Sequence, residues 1–216
     1  MSSLTMTWQE FLRHATAFLK ISENLKDSWS LHKLSDEEGS SFLEYKQKIP
    51  FSSKVSSQQT NELATNCAEL SSEEVEDDMQ FEQLEASTAL DWLQIEYHIV
   101  YSTSYQVPVL YFLAHKSDGS ILGLEEAWQL FRDFGNECPP VKAAQQSMKA
   151  RAEMLSILTQ MEHPVLFKPY LGLHPCRTAE LLAQSSSSAN HVLTFISLMG
   201  PYVQLQLSNE YGLGLK

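Results

Sequence analysis

Basic residues are missing altogether between Lys54 and Lys116, a gap without a single Lys or Arg in a chain of 216 residues. Most acids of that gap sit between Glu62 and Glu96, with Glu73, Glu74, Glu76, Asp77 and Asp78 at its centre. They account for much of the net charge of −12. With no basic stripe elsewhere, nucleic acid is not an expected partner. The acidic stretch reads as a flexible insertion at about 52–89 in a single domain spanning 1–216. Cysteine is scarce too: Cys67, Cys138 and Cys176 are odd in number and far apart, and no C-x-x-C occurs. That speaks against paired zinc ligands and against a disulfide framework, and it fits a reducing compartment. No apolar run approaches about 18 residues, so stable membrane insertion is not expected. Met1 to Thr7 lacks the basic start of a signal peptide, which makes the cytoplasm the expected location.

What is present is ordered by hydrophobic period. Trp8, Phe11, Leu12, Ala15, Phe18, Leu19 and Leu25 recur at helical spacing, and Thr7 with Glu10 is placed to form a capping box. Phe42 to Phe51 reads as a strand. Leu93, Ile95, Tyr97, Ile99 and Tyr101 alternate with Gln94, Glu96 and His98, predicting a half-buried strand with those polar residues facing water. From Val107 to Ala114 both alternations are apolar, which predicts a strand covered on both faces. Ser102 to Gln106 joins these two strands as a hairpin, and Asp118-Gly119 marks a tight turn. Helical patterns follow at Leu124 to Phe134, Lys142 to Leu158, Arg177 to Gln184 and Val192 to Met199. His163-Pro164 and Lys168-Pro169 punctuate an extended stretch between them. The order of elements predicts an α+β fold, not alternating βα units.

Cys176 has chemically suggestive neighbours. Pro175 stiffens the approach and restricts His174 to extended geometry. Arg177 and a helix start place the sulfur in positive potential, which favours the nucleophilic thiolate. A buried, inert cysteine at a turn accounts for the same local residues, and the local pattern leaves both readings open.

Several motifs occur together in a fixed order: Tyr105-Gln-Val-Pro-Val-Leu-Tyr-Phe112, Asp118-Gly119, Thr159-Gln160-x-Glu162-His163-Pro164, Leu173-His174-Pro175-Cys176-Arg177-Thr178, and Ser197-Leu-Met-Gly-Pro-Tyr-Val203. Together they resemble the autophagy-related protein ten family. The resemblance implies a ubiquitin-conjugating-enzyme-like fold, an antiparallel sheet flanked by helices. It implies a transferase in which Cys176 takes a ubiquitin-like C-terminus as a thioester and passes it to a lysine. The implied partners are an autophagy activating enzyme, which uses the ATP, the ubiquitin-like autophagy protein twelve, and the acceptor, autophagy protein five. No metal or organic cofactor is implied. Conventional conjugating enzymes place an Asn near the cysteine to stabilise the oxyanion, and none lies near Cys176 in sequence. Tyr105 and His174 are the candidates for polar groups at the site, whereas His163 reads as structural. Leu155-Ser156-Ile157-Leu158 departs from the aromatic-rich strand that the family carries there.

Three other readings compete. The sister family that transfers a ubiquitin-like protein to phosphatidylethanolamine has His two residues after the cysteine, where this chain has Thr178, and its membrane helix is more basic. A cysteine peptidase would have to recruit His191, only fifteen residues downstream. A non-catalytic module that binds ubiquitin-like proteins would keep the fold without a reactive thiol.

Overall fold

The structure is a computed structural model that describes residues 4–51, 91–133 and 156–213. In chain order these form α1 (Trp8–Leu25), β1 (Ser30–Lys33), β2 (Ser41–Phe51), β3 (Asp91–Ser102), β4 (Val107–Lys116), α2 (Leu124–Asp133), β5 (Leu158–Glu162), β6 (Pro169–Leu173), α3 (Thr178–Ala183), α4 (His191–Met199) and α5 (Glu210–Leu213). Short 3₁₀ turns occupy Pro175–Arg177 and Gly200–Val203. The six strands make one antiparallel sheet in the order β1-β2-β3-β4-β6-β5, so the fold is α+β.

Helix α1 starts where its sequence asks it to. Thr7 Oγ1 accepts the Glu10 N–H at 3.2 Å and Glu10 Oε2 accepts the Thr7 N–H at 2.7 Å, which satisfies two otherwise orphaned donors. It stops at Lys26, whose left-handed backbone (φ 58°) turns its N–H back to the last carbonyls. Its apolar stripe, including Phe11 and Phe18, enters the main core together with Leu93, Ile95, Tyr97, Ile99 and Tyr101 of β3. Truncating either fully buried Phe to Ala should cost about 3–5 kcal/mol.

Strand β4 is buried on both sides, as the double alternation predicts. Leu110, Phe112 and Ala114 face the main core, while Val109 and Tyr111 join Phe42, Val100, Val165 and Tyr170 in a smaller cluster on the second face. The second face corrects one expectation. His98 was expected to face water, yet it is only 1% exposed, because the turn between β5 and β6 folds over that face and sets His163 edge-on against it. Tyr97 needs a partner for its buried hydroxyl. It donates to Val203 O at 2.8 Å and accepts from Gln47 Nε2 at 2.8 Å, which ties the C-terminal 3₁₀ turn to the sheet.

The expected helix from Lys142 to Leu158 is corrected at its end. Leu158 opens β5 and pairs with Leu173 of β6, and ladder pairing plus burial against the core wins over a weak helical pattern. Residues 142–155 lie outside the described residues, as do the acidic insertion at 52–89, Cys67 and Cys138. Phe134 is likewise outside, and the described part of α2 ends at Asp133. Gly172 is where β6 meets β4: a Cβ there would lie 2.6 Å from Met161 Cε and 3.0 Å from Leu110 O. That close approach sets the position of the strand that leads to Cys176.

Candidate active site

Strand β6 delivers the chain to the site. One residue beyond it, the His174 N–H donates to Ile157 O at 2.9 Å, and Pro175 then redirects the backbone into the 3₁₀ turn. His174 is the N-cap of that turn: its Nδ1 accepts the Cys176 N–H at 3.2 Å. Buried Pro175 and Thr178 anchor the turn on either side of an exposed Cys176. The thiol points back toward His174 O at 3.9 Å. An inert cysteine would be expected inside, and this one is at the surface. The helix read from about Arg177 to Gln184 forms as α3, which begins two residues after Cys176; the thiol itself sits in the 3₁₀ turn, and a helix of six residues has little dipole to offer it.

Capping fixes the tautomer of His174. A nitrogen that accepts an N–H carries no proton, so the neutral ring holds its proton on Nε2 and presents a donor there. Beside it stands Tyr105, in the turn between β3 and β4. The two rings meet edge to face, 5.6 Å between centroids and 82° between planes. Tyr105 is 45% exposed, so its hydroxyl is not locked away as a packed strand residue. That turn is itself held: the Tyr105 N–H donates to Ser102 Oγ at 3.2 Å, and Gln106 takes a left-handed φ of 54°. Tyr105, His174 and Cys176 therefore come together at one end of the sheet.

The extended segment before α1 was not read as part of the site, yet it braces it. Met6 N–H donates to Gln106 O at 2.8 Å, Leu4 N–H to Ala179 O at 3.0 Å, and Tyr101 Oη to Met6 O at 2.9 Å. The strap joins the Tyr105 turn to the helix that follows Cys176. Nothing local in Leu4 to Met6 signals this, since every partner is a backbone or strand residue far along the chain.

Neither of the other histidines considered reaches the site. His191 opens α4 and packs edge-on against His14, 5.2 Å between ring centroids. His163 is fully buried on the second face, where a polar chain runs inward. Its Nδ1 accepts the Val165 and Leu166 N–H groups at 3.2 and 3.1 Å, so Nε2 holds the proton and donates to His98 Nδ1 at 3.0 Å. On the other side of the His98 ring, Nε2 faces Glu96 Oε1 at 3.0 Å. The Lys46 ammonium closes the chain, 2.9 Å from Glu96 and 2.7 Å from Glu44. Glu44, Glu96 and His98 are near enough to one another to hold a metal ion. An ion there would have to displace the Lys46 ammonium from both carboxylates. Burial and the neighbouring His98 depress the His163 pKa to about 4. Contacts from His98 and Lys46 outweigh burial and bring Glu96 down to about 2.

A family model described as "Autophagocytosis associated protein, active-site domain" matches residues 10–210, which takes in the sheet, Tyr105 and the Cys176 turn. The chain belongs to this family. It is similar to the human ubiquitin-like-conjugating enzyme ATG10, with 32% identity over 215 residues, 93% of this chain and 90% of the human protein. The enzyme of the same name from Arabidopsis thaliana is 35% identical over 125 residues, 53% of this chain and 51% of that protein. The Dictyostelium discoideum enzyme is 31% identical over 128 residues, 52% and 51% respectively. The chain is thus a conjugating-type transferase of autophagy, with the antiparallel sheet and flanking helices of that enzyme class. No helix among the described residues is long and apolar enough to cross a membrane.

Proposed function

We propose that Cys176 carries the C-terminus of a ubiquitin-like protein as a thioester and passes it to a lysine of an acceptor protein. The observation that carries this is an exposed thiol on a turn capped by its own neighbour, His174, with Tyr105 against the cap. In the first step the Cys176 thiolate attacks the thioester carbonyl held by an activating enzyme, and that enzyme's thiolate leaves. In the second, the acceptor lysine amine attacks the Cys176 thioester, an isopeptide bond forms, and the Cys176 thiolate leaves as the amine loses a proton. Both steps pass through a tetrahedral oxyanion. The His174 Nε2–H and the Tyr105 hydroxyl are the donors proposed to stabilise it, in place of the Asn used by conventional conjugating enzymes. They need no help from a cofactor, because thioester exchange is driven by the upstream activation.

The similarity to the ATG10 enzymes supports taking the ubiquitin-like cargo to be autophagy protein twelve, the acceptor to be autophagy protein five, and the donor to be the autophagy activating enzyme. The chain is proposed to act in the cytoplasm as one domain with an acidic insertion at about 52–89. A single-turnover chase tests the reading. The protein is charged, the activating enzyme is quenched, and autophagy protein five is added. Transfer of the ubiquitin-like protein to that acceptor is expected, and a thioester that decays only by hydrolysis would overturn the acceptor assignment.

A further inference from the structure

A groove of about 450 Å³ opens on the second face of the sheet, at the end that carries the Cys176 site. Val109, Leu34 and Phe167 are among the apolar residues that line it. Phe167 is 74% exposed and holds a left-handed φ of 54°, a backbone state that a large side chain rarely adopts. Core packing does not explain an aromatic held outward at that strain, and such outliers gather where ligands are clamped. Leu34, 56% exposed, faces the same space from the turn between β1 and β2. That turn is seated by Gly39 (φ 79°), where a Cβ would lie 3.3 Å from Thr103 Cγ2.

The rim is acidic and uncompensated. Glu37 and Glu38 line the groove and make no ion pair with a basic side chain among the described residues, whereas neighbouring Asp36 is paired with Lys33. Position relative to the thiol is the third observation. Ser104 lines the groove, and the next residue, Tyr105, has its ring against His174. Consecutive Cα atoms lie about 3.8 Å apart, so a chain lying in the groove and leaving past Ser104 arrives beside Cys176 within a few residues.

We propose that this groove docks the acceptor protein through an extended segment that offers an apolar side chain to Phe167 and Leu34 and flanking Lys or Arg residues to Glu37 and Glu38. The segment's orientation brings its target lysine to the thioester. The inference rests on the thioester reading of Cys176 and adds the acceptor's recognition surface and sequence chemistry. A pocket for an apolar anchor with an acidic rim selects basic-apolar segments over acidic ones by both attraction and repulsion.

The test uses the full chain charged with its ubiquitin-like protein, comparing the parent with E37K/E38K and with Phe167→Ser. All three positions are exposed, and circular dichroism melting confirms that each variant is folded. Three rates are read: charging by the activating enzyme, discharge onto free lysine, and discharge onto the acceptor protein. The expected result is a loss of about tenfold in discharge onto the acceptor for either variant, with charging and free-lysine discharge unchanged. Parent-like transfer to the acceptor in both variants would overturn the groove. So would an equal fall in both discharges, which would mean damage to the chemistry, or a fall in charging alone, which would assign the groove to the activating enzyme. A parent protein that never charges refutes the thioester reading itself, and is thereby distinguished from failure of the groove.

Discussion

The buried pair His163–His98 makes the stability of this fold depend on pH in a way that can be worked out. His163 is held neutral in the folded protein with a pKa of about 4, while in the unfolded chain it titrates near 6.5. Between these values the unfolded state binds the proton and the folded state does not, so stability falls as pH falls. Integrating that difference from pH 7 to pH 5 gives a loss of about 2 kcal/mol from this one residue. Glu96 has the same sign in a lower window: its stabilising contribution is present above its unfolded pKa of 4.5 and is lost as pH drops toward 2. It contributes little between pH 7 and 5, so the two groups separate. Urea unfolding at pH 7 and pH 5 measures the change. His163→Asn removes the titration while its amide oxygen, in the place of Nδ1, remains to accept the Val165 and Leu166 N–H groups. This variant should be less stable at pH 7, and its loss between pH 7 and 5 should be smaller than the parent's by about 2 kcal/mol. Equal losses in parent and variant would refute the placement of His163, and with it the account of how the turn bearing Phe167 is held on the sheet.

Two further substitutions probe other parts of the account. Asn190 caps α4 by accepting the Val192 and Leu193 N–H groups, both at 3.0 Å, and donates to His14 O at 2.9 Å from a site 1% exposed. Asn190→Ala loses the cap and the bond to His14 O, so denaturant unfolding should show a loss of about 1–3 kcal/mol. At the catalytic end, Tyr105→Phe keeps the ring against His174 and removes only the hydroxyl. If that hydroxyl stabilises the oxyanion, single-turnover discharge should slow by about 100-fold with the melting temperature unchanged. A parent-like rate in Tyr105→Phe with a slowed Tyr105→Ala would make the ring a positioning element for His174.

How much of this was legible in the sequence depended on the distance between partners. The capping box of α1, the alternation of β3 and the doubly apolar β4 are local patterns, and each formed where it was read. The His174 cap on Cys176 is also local, two residues apart, and Pro175 between them announces the turn. Strand β1 went unread because Ser30 to Lys33 has no apolar alternation, only one of its four residues being partly buried. His98 looked like a water-facing residue because its cover, the turn at 163–168, lies far along the chain and carries no signal of where it folds. Tyr105 was singled out through its motif, and only the three-dimensional fold shows its ring on His174. The bracing of the site by Leu4 and Met6 is made almost wholly of backbone hydrogen bonds, which leave no trace in residue type. At the site, His174, Pro175 and Cys176 adjoin in sequence, whereas the contacts that support them are long-range.

The central claim is that Cys176 becomes a thioester. Mixing the protein with the autophagy activating enzyme, ATP and the ubiquitin-like protein, then running non-reducing gels, tests it directly with Cys176→Ser and Cys176→Ala alongside. The account predicts a thiol-sensitive adduct for the parent, a thiol-resistant ester for Cys176→Ser, and no adduct for Cys176→Ala. An adduct that survives in Cys176→Ala, or none in the parent with partners shown to be active, would contradict it.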